Sequence, residues 1–192
     1  MAGAMLAPTL AIAAPLAYAQ EAHWPVRPIK AIVPFPVGSA ADVTGRIVMS
    51  QLSKKLGQPI VIENRPGAAG AVGSAVAAHA KPDGYTLLIH SSSHTITAAV
   101  NPKLNYDPTV DLVGITPLSY TSTVFVASAS KGYRTLSDLV NAAKANPGSI
   151  NYASAGNGTV THLAGEGLRS AGAFQATQVP YKGTGEAVSD LL

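Results

Sequence analysis

The chain has 192 residues, 47% hydrophobic and only 12% charged, enough apolar material for one good-sized domain or two small ones. Its net charge of +3 is the excess of 13 basic over 10 acidic residues spread along the sequence. No Lys/Arg block and no aromatic–basic interleaving marks a nucleic-acid partner. Cysteine is absent, which excludes disulfides, thiolate metal ligands and a cysteine nucleophile, and fits an exported protein.

Residues 6–16 are mostly apolar, and Ala17-Tyr18-Ala19 has the form of a cleavage site, so residues 1–19 are expected to be a signal peptide. The run is too short to span a bilayer, and no Lys or Arg precedes it. Residues 20–28 read as a linker kept extended by Trp24-Pro25 and Arg27-Pro28. A buried strand over residues 29–33 then runs into Pro34-Phe35-Pro36-Val37-Gly38-Ser39-Ala40-Ala41-Asp42-Val43. Val43, Ile47, Val48, Leu52 and Leu56 follow at helical spacing, and Gly57-Gln58-Pro59 stops the helix. Residues 60–63 are a second strand, and a small-residue helix opened by Gly67, Gly70 and Gly73 extends to about Ala80. A turn at Lys81-Pro82-Asp83-Gly84 leads to a third strand, residues 85–89, ending in His90-Ser91-Ser92-Ser93-His94. Strands alternating with helices at these intervals predict a parallel sheet, whose ligands sit outside the carboxyl ends of its strands.

Residues 98–108 are irregular, and residues 112–118 and 123–127 have the composition of further strands. Thr135-Leu136-Ser137-Asp138 is an acidic capping box opening a helix with Leu136, Leu139, Val140 and Ala143 on one face. Asn146-Pro147-Gly148 ends it. A strand over 150–153 enters Ser154-Ala155-Gly156-Asn157-Gly158-Thr159-Val160-Thr161-His162, and a helix follows to about Ser170. After a strand over 176–179, Pro180-Tyr181-Lys182-Gly183-Thr184 opens a last helix. The second half thus repeats the strand, Gly-rich loop and helix of the first, which suggests a cleft between two lobes. The first lobe is expected over residues 29–124 and a partial second lobe over 125–192. The stop at Leu192, inside an expected helix, suggests a fragment of a longer two-lobed protein, with a truncated, non-functional remnant as an alternative reading.

The chemistry-bearing stretches each have a plain alternative. Gly38 permits close backbone approach, and Ser39 with Asp42 forms an acidic capping box. The loop is either an ordinary capped strand-to-helix turn or a cradle for a carboxylate or phosphate. Gly67-x-x-Gly70-x-x-Gly73 has the wrong spacing for a dinucleotide fingerprint and reads as close helix–sheet packing. Gly156-Asn157-Gly158-Thr159 lacks the Lys-Ser/Thr pair of a P-loop; it is a tight turn or a backbone nest for a carboxylate, with Ser154, Asn157 and Thr159 as added donors. His90, His94 and His162 fall near strand ends, without the acidic neighbours a metal site needs, and are read as polar donors. A Ser–His hydrolase pairing Ser92 with His94 is the enzyme alternative, although no G-x-S-x-G elbow supports it.

Taken together, Pro34–Asp42, Glu63–Gly70, Pro82–Leu88, Tyr106–Pro108, Ala145–Glu166 and Val179–Gly183 resemble the tripartite tricarboxylate transporter receptors, the Bug family of periplasmic binding proteins. Ser39 stands where that family usually has a second glycine. The resemblance implies an α/β, two-lobed periplasmic binding protein of type II, a venus flytrap, here with its second lobe and the return to the first lobe incomplete. It implies capture of a small carboxylate (a di- or tricarboxylate, acidic amino acid or aromatic acid) and delivery to membrane permease subunits, with no catalysis, cofactor or nucleic acid. Carried over by position, its ligand-binding residues are Phe35, Gly38, Ser39, Ala40, Asp42, Ser91, Ser92, Ala155, Gly156, Asn157, Thr159 and His162, together with Tyr181 and Lys182.

Overall fold

The computed structural model describes residues 23–192, so the expected signal peptide lies outside the described residues. The first sheet forms around β1 (Ile29–Val33). Ala31, Ile32 and Val33 are fully buried, as a run apolar on both faces requires at the centre of a parallel sheet. β2 (Ile60–Asn64) and β3 (Thr86–Leu88) pair parallel to it on either side, Ile29 opposite Ile60 and Lys30 opposite Thr86. Between them run α1 (Ala40–Leu56) and α2 (Ala71–Ala78). The two crossovers travel in opposite directions, so right-handed connections put these helices on opposite faces of the sheet.

α1 ends where Gly57 turns left-handed, as its sequence predicts. Its buried face differs from expectation. Gly45 and Met49 are buried with Val48 and Leu52 half-buried beside them, while Val43 and Ile47 are exposed. Gly45 suits this rotation: a Cβ there would lie 3.0 Å from Ile89 Cδ1 and 3.8 Å from Val33 Cγ2, so a side chain would crowd the core. The glycines before α2 serve close packing. A Cβ on Gly73 would lie 2.7 Å from Pro34 Cβ, and one on Gly70 would lie 2.5 Å from His90 Nε2. Gly70 also closes a short 3-10 turn at residues 68–70 ahead of α2.

The segment after β3 departs from the sequence reading. Residues 93–100 form a helix, α3 (Ser93–Val100), rather than the end of a strand followed by an irregular loop. Serines and threonines read as loop or strand by composition; here burial of Ser93 and Thr97 at helical spacing decides the conformation. Residues 112–118 and 123–127 form no strands. Val113, Ile115, Tyr120 and Val124 are exposed, and only Leu118 reaches the core of the first sheet. β-propensity supplies a surface to pair, and no strand among the described residues pairs with it.

The capping box of α4 (Leu136–Ala145) is complete: Thr135 accepts the Asp138 N–H, and Asp138 accepts the Thr135 N–H. β4 (Ile150–Ser154) and β5 (Ala176–Pro180) make a second, two-stranded parallel sheet, with α5 (Val160–Gly172) between them and α6 (Thr184–Leu191) after β5. A Cβ on Gly165 of α5 would lie 2.3 Å from the Tyr152 ring, so helix and strand meet closely there. The Tyr152 hydroxyl donates to Glu166, and Arg169 donates twice to the same carboxylate. Burial and then Glu166 push the Tyr152 phenol upward. No helix among the described residues is long and apolar enough to cross a membrane.

Candidate ligand-binding site

The first loop leaves β1 at Pro34 and enters α1 through Ser39, whose Oγ accepts the Asp42 N–H at 3.3 Å. Asp42 does not close the box on Ser39; its Oδ2 accepts the Gly38 N–H at 2.9 Å. The same carboxylate receives Arg46 and Asn64, and Asn64 Nδ2 also donates to the Phe35 carbonyl. Asp42 is 1% exposed. Burial pushes its carboxyl up, but the hydrogen bonds from Arg46, Gly38 and Asn64 and the Arg46 charge outweigh it and hold the pKa at about 2. The expected Gly38 donor is therefore occupied from within. Among the described residues, Ala40 and Ala41 keep N–H groups without a partner, as the first helical positions must unless capped.

The second loop is built from hydroxyls and an imidazole. Thr159 caps α5 by accepting the His162 N–H, and its hydroxyl donates to the Gly156 carbonyl at 2.7 Å. Ala155 N–H goes to Thr161 Oγ1 and Gly156 N–H to Ser154 Oγ, which Gln178 also reaches. Gly156 and Gly158 hold φ of +113° and +79°, so the turn needs glycine at both positions. Gly158 N–H donates to His162 Nδ1 at 3.2 Å. That bond leaves Nδ1 as acceptor, so the neutral ring carries its proton on Nε2 as a donor. The Asn157 and Thr161 N–H groups have no partner among the described residues.

Both loops border the turn between β5 and α6. A Cβ on Gly183 would lie 3.4 Å from Pro36 Cγ, and one on Gly156 would lie 3.5 Å from the Tyr181 carbonyl. Phe35 packs edge-on against His90, with ring centroids 5.1 Å apart. His90 in turn meets His94 and has its pKa lowered to about 4, chiefly by burial, with the charge on His94 adding to the drop.

The remaining predicted site residues are turned elsewhere or stand outside the packed loops. Ser91 and Ser92 are exposed; Ser91 Oγ accepts the Ser93 N–H and the Ser92 carbonyl accepts Thr95. The Tyr181 hydroxyl is held by Asp190, and exposed Lys182 donates its backbone N–H to Glu186. His94 Nε2 lies 3.2 Å from the Pro108 carbonyl, and its buried Nδ1 meets no serine hydroxyl, so Ser92 and His94 do not form the hydrolase pair. Among the described residues no cluster of His, Asp and Glu has metal-binding geometry. The hollow lined by Arg27, Lys30, Lys81, Asp83 and Tyr85 lies at the opposite, amino ends of β1 and β3. Most of its charges are already paired, Arg27 with Asp83 and Lys30 with Glu63. Sequence reasoning missed Asn64, Arg46, Ser93 and Thr97. Asn64 stands at the end of its strand, and Arg46 one helical turn after Asp42, which was the available signal.

Parallel sheets with helix N-termini gathered at their strand ends are the architecture of periplasmic binding proteins. Residues 44–192 match the family model described as the tripartite tricarboxylate transporter family receptor, and the chain belongs to that family. It is 37% identical over 186 residues to the protein BugT of Bordetella pertussis, covering 96% of this chain and 56% of BugT. The solved structure of MatC from Rhodopseudomonas palustris with bound malate superposes with a TM-score of 0.79 at 32% identity, covering 88% of this chain and 57% of that one. An R. palustris protein solved with adipate gives 0.75 at 28% identity, covering 88% of this chain and 56% of that one. The chain spans about half the length of the curated relatives it matches.

Proposed function

We propose that this chain is the part of a periplasmic solute receptor that grips a small carboxylate between two loops, for delivery to membrane permease subunits. The observation that carries the reading is the second loop. There the Asn157 and Thr161 N–H groups are unpartnered among the described residues, and the Gly158–His162 bond leaves His162 Nε2 as a further donor on α5. Carboxylate oxygens accept N–H bonds well at a helix N-terminus, where the dipole adds to the attraction. Ala40 and Ala41 offer two further donors at the start of α1, and Phe35 supplies an apolar wall. In this reading residues 29–124 and 125–192 belong to separate lobes, residues 1–19 direct export, and no bond is made or broken. Binding of malate by MatC and of adipate by its R. palustris relative supports a di- or tricarboxylate, with acidic amino acids and aromatic acids as the neighbouring ligand classes.

Thermal unfolding with malate, adipate, citrate, glutamate and benzoate tests the reading. A ligand at a hundred times its Kd stabilises by about 2.7 kcal/mol. At least one carboxylate is expected to raise Tm, and its fully methylated ester is expected not to. No shift with any of the five, or an equal shift with the ester, overturns the reading.

A further inference from the structure

Ser93 and Thr97 stand one turn apart on α3, and each is 3% exposed although each is polar. Both hydroxyls meet the loop that enters α5. Ser93 Oγ accepts the Val160 N–H at 3.3 Å, across 67 positions of sequence. Thr97 Oγ1 lies 3.3 Å from the Gly158 carbonyl and 3.4 Å from the Ala69 carbonyl, so its one proton serves an acceptor on either side. Gly158 makes the approach possible: a Cβ there would lie 3.1 Å from Val100 Cγ2 and 3.5 Å from Thr97 Oγ1. The contact also divides the donors of α5. Val160 N–H is taken by Ser93, His162 N–H by the Thr159 cap, and Thr161 N–H remains without a partner among the described residues.

We propose that Ser93 and Thr97 form a latch between α3 and the α5 entry loop, positioning the second loop against the first and thereby setting how long a ligand stays bound. Neither residue needs to touch the ligand. The latch closes when an N–H and a carbonyl of the second loop reach the two hydroxyls, which are buried in that arrangement. Opening leaves those groups to water, so the closed arrangement is favoured by a few weak bonds that form and break together. The effect on a bound carboxylate rests on the function proposed above; the contact between α3 and the α5 entry loop does not.

The absence of cysteine allows clean labelling. Lys54→Cys on α1 and Lys144→Cys on α4, both exposed, carry a donor and acceptor dye pair on the whole chain. Without ligand, Ser93→Ala and Thr97→Val are expected to lower energy transfer. Exchange of the Val160 amide is expected to rise about threefold to tenfold, the range for one lost hydrogen bond. Amides of β1 are expected to keep their rates, and Thr97→Ser, which keeps the hydroxyl, is expected to behave as the parent. With malate as the probe, the off-rate rises in Ser93→Ala while the on-rate holds. Unchanged energy transfer and Val160 exchange in both variants overturn the latch. A rise in exchange that includes the β1 amides also overturns it, by assigning the hydroxyls to fold stability. If the parent chain fails to bind malate, the function proposed above loses support while the ligand-free readouts still decide the latch.

Discussion

The two loops are built alike and charged differently. α1 carries an acidic residue in its first turn, and that residue, Asp42, folds back to take the Gly38 N–H. α5 has no acidic residue in its first turn; its loop is held by Thr159, Thr161, Ser154 and His162, none of them a carboxylate. A carboxylate at a helix N-terminus satisfies the dipole from within and repels an incoming anion. The first loop thus already holds a negative charge at its helix start, and the second is where an external negative charge is least opposed. Two strand-to-helix loops of similar form therefore need not do similar work.

The largest expected effect breaks the first loop. Asp42→Ala leaves the Asn64 amide and the Gly38 N–H without their acceptor and half-exposed Arg46 to water, and losing hydrogen bonds to a buried carboxylate is expected to cost roughly 1.5–3 kcal/mol. Urea unfolding near neutral pH measures it. The carboxyl's fall from 3.8 to about 2 corresponds to about 2 kcal/mol. Because the folded pKa is the lower one, this stability is present above pH 3.8 and is lost as pH falls through about 2. A stability profile with no acid limb in that window contradicts the network.

The next effect separates the loops' caps. Thr159→Ala removes a buried cap and is expected to cost about 1 kcal/mol and to weaken carboxylate binding, because the turn around Gly156 loosens. Thr135→Ala removes the cap of α4 at a similar cost with no change in affinity. Equal affinity losses in the two variants, read by calorimetry, would contradict a special role for the second loop.

A third measurement uses His90, which backs Phe35 of the first loop. Its lowered pKa means the unfolded chain takes up the proton first, so stability is complete above about pH 6.5 and declines as pH falls towards about 4. The ring faces Phe35, His94 and the backbone of Gly70 and Ser91, with no carboxylate among these neighbours to offset the positive charge. His90→Phe is expected to flatten that part of the profile, which lies above the Asp42 window and is separable from it. The smallest effect is Tyr181→Phe. It breaks an exposed hydrogen bond to Asp190 and is expected to change stability by less than about 0.5 kcal/mol and leave affinity unaltered. A large affinity loss would restore Tyr181 to the site.

Much of this arrangement is legible before any coordinates. The central strand declares itself by an apolar run, α1 by its Ser39 cap and Gly57 stop, and α4 by a capping box that forms completely. The two glycine loops fall at strand ends because strands alternate with helices. What escaped lies in tertiary context. Whether Asp42 would meet Ser39 or Gly38 depends on Asn64 arriving from another strand. Ser93 and Thr97 look like loop residues until a second loop packs on them. Residues 112–127 have the composition of strands and no strand to pair with among the described residues.

Trp24 is the only tryptophan in the sequence. It leans on Tyr85 and covers Gly84, at the end of the first sheet remote from both loops. The molecule thus carries one tryptophan fluorophore, and its emission, excited apart from the tyrosines, follows the seating of the leading segment on β3. Carboxylate titrations followed by that emission are expected to stay flat even when heat or exchange reports saturation, so the optical signal is a gauge of folding rather than of occupancy.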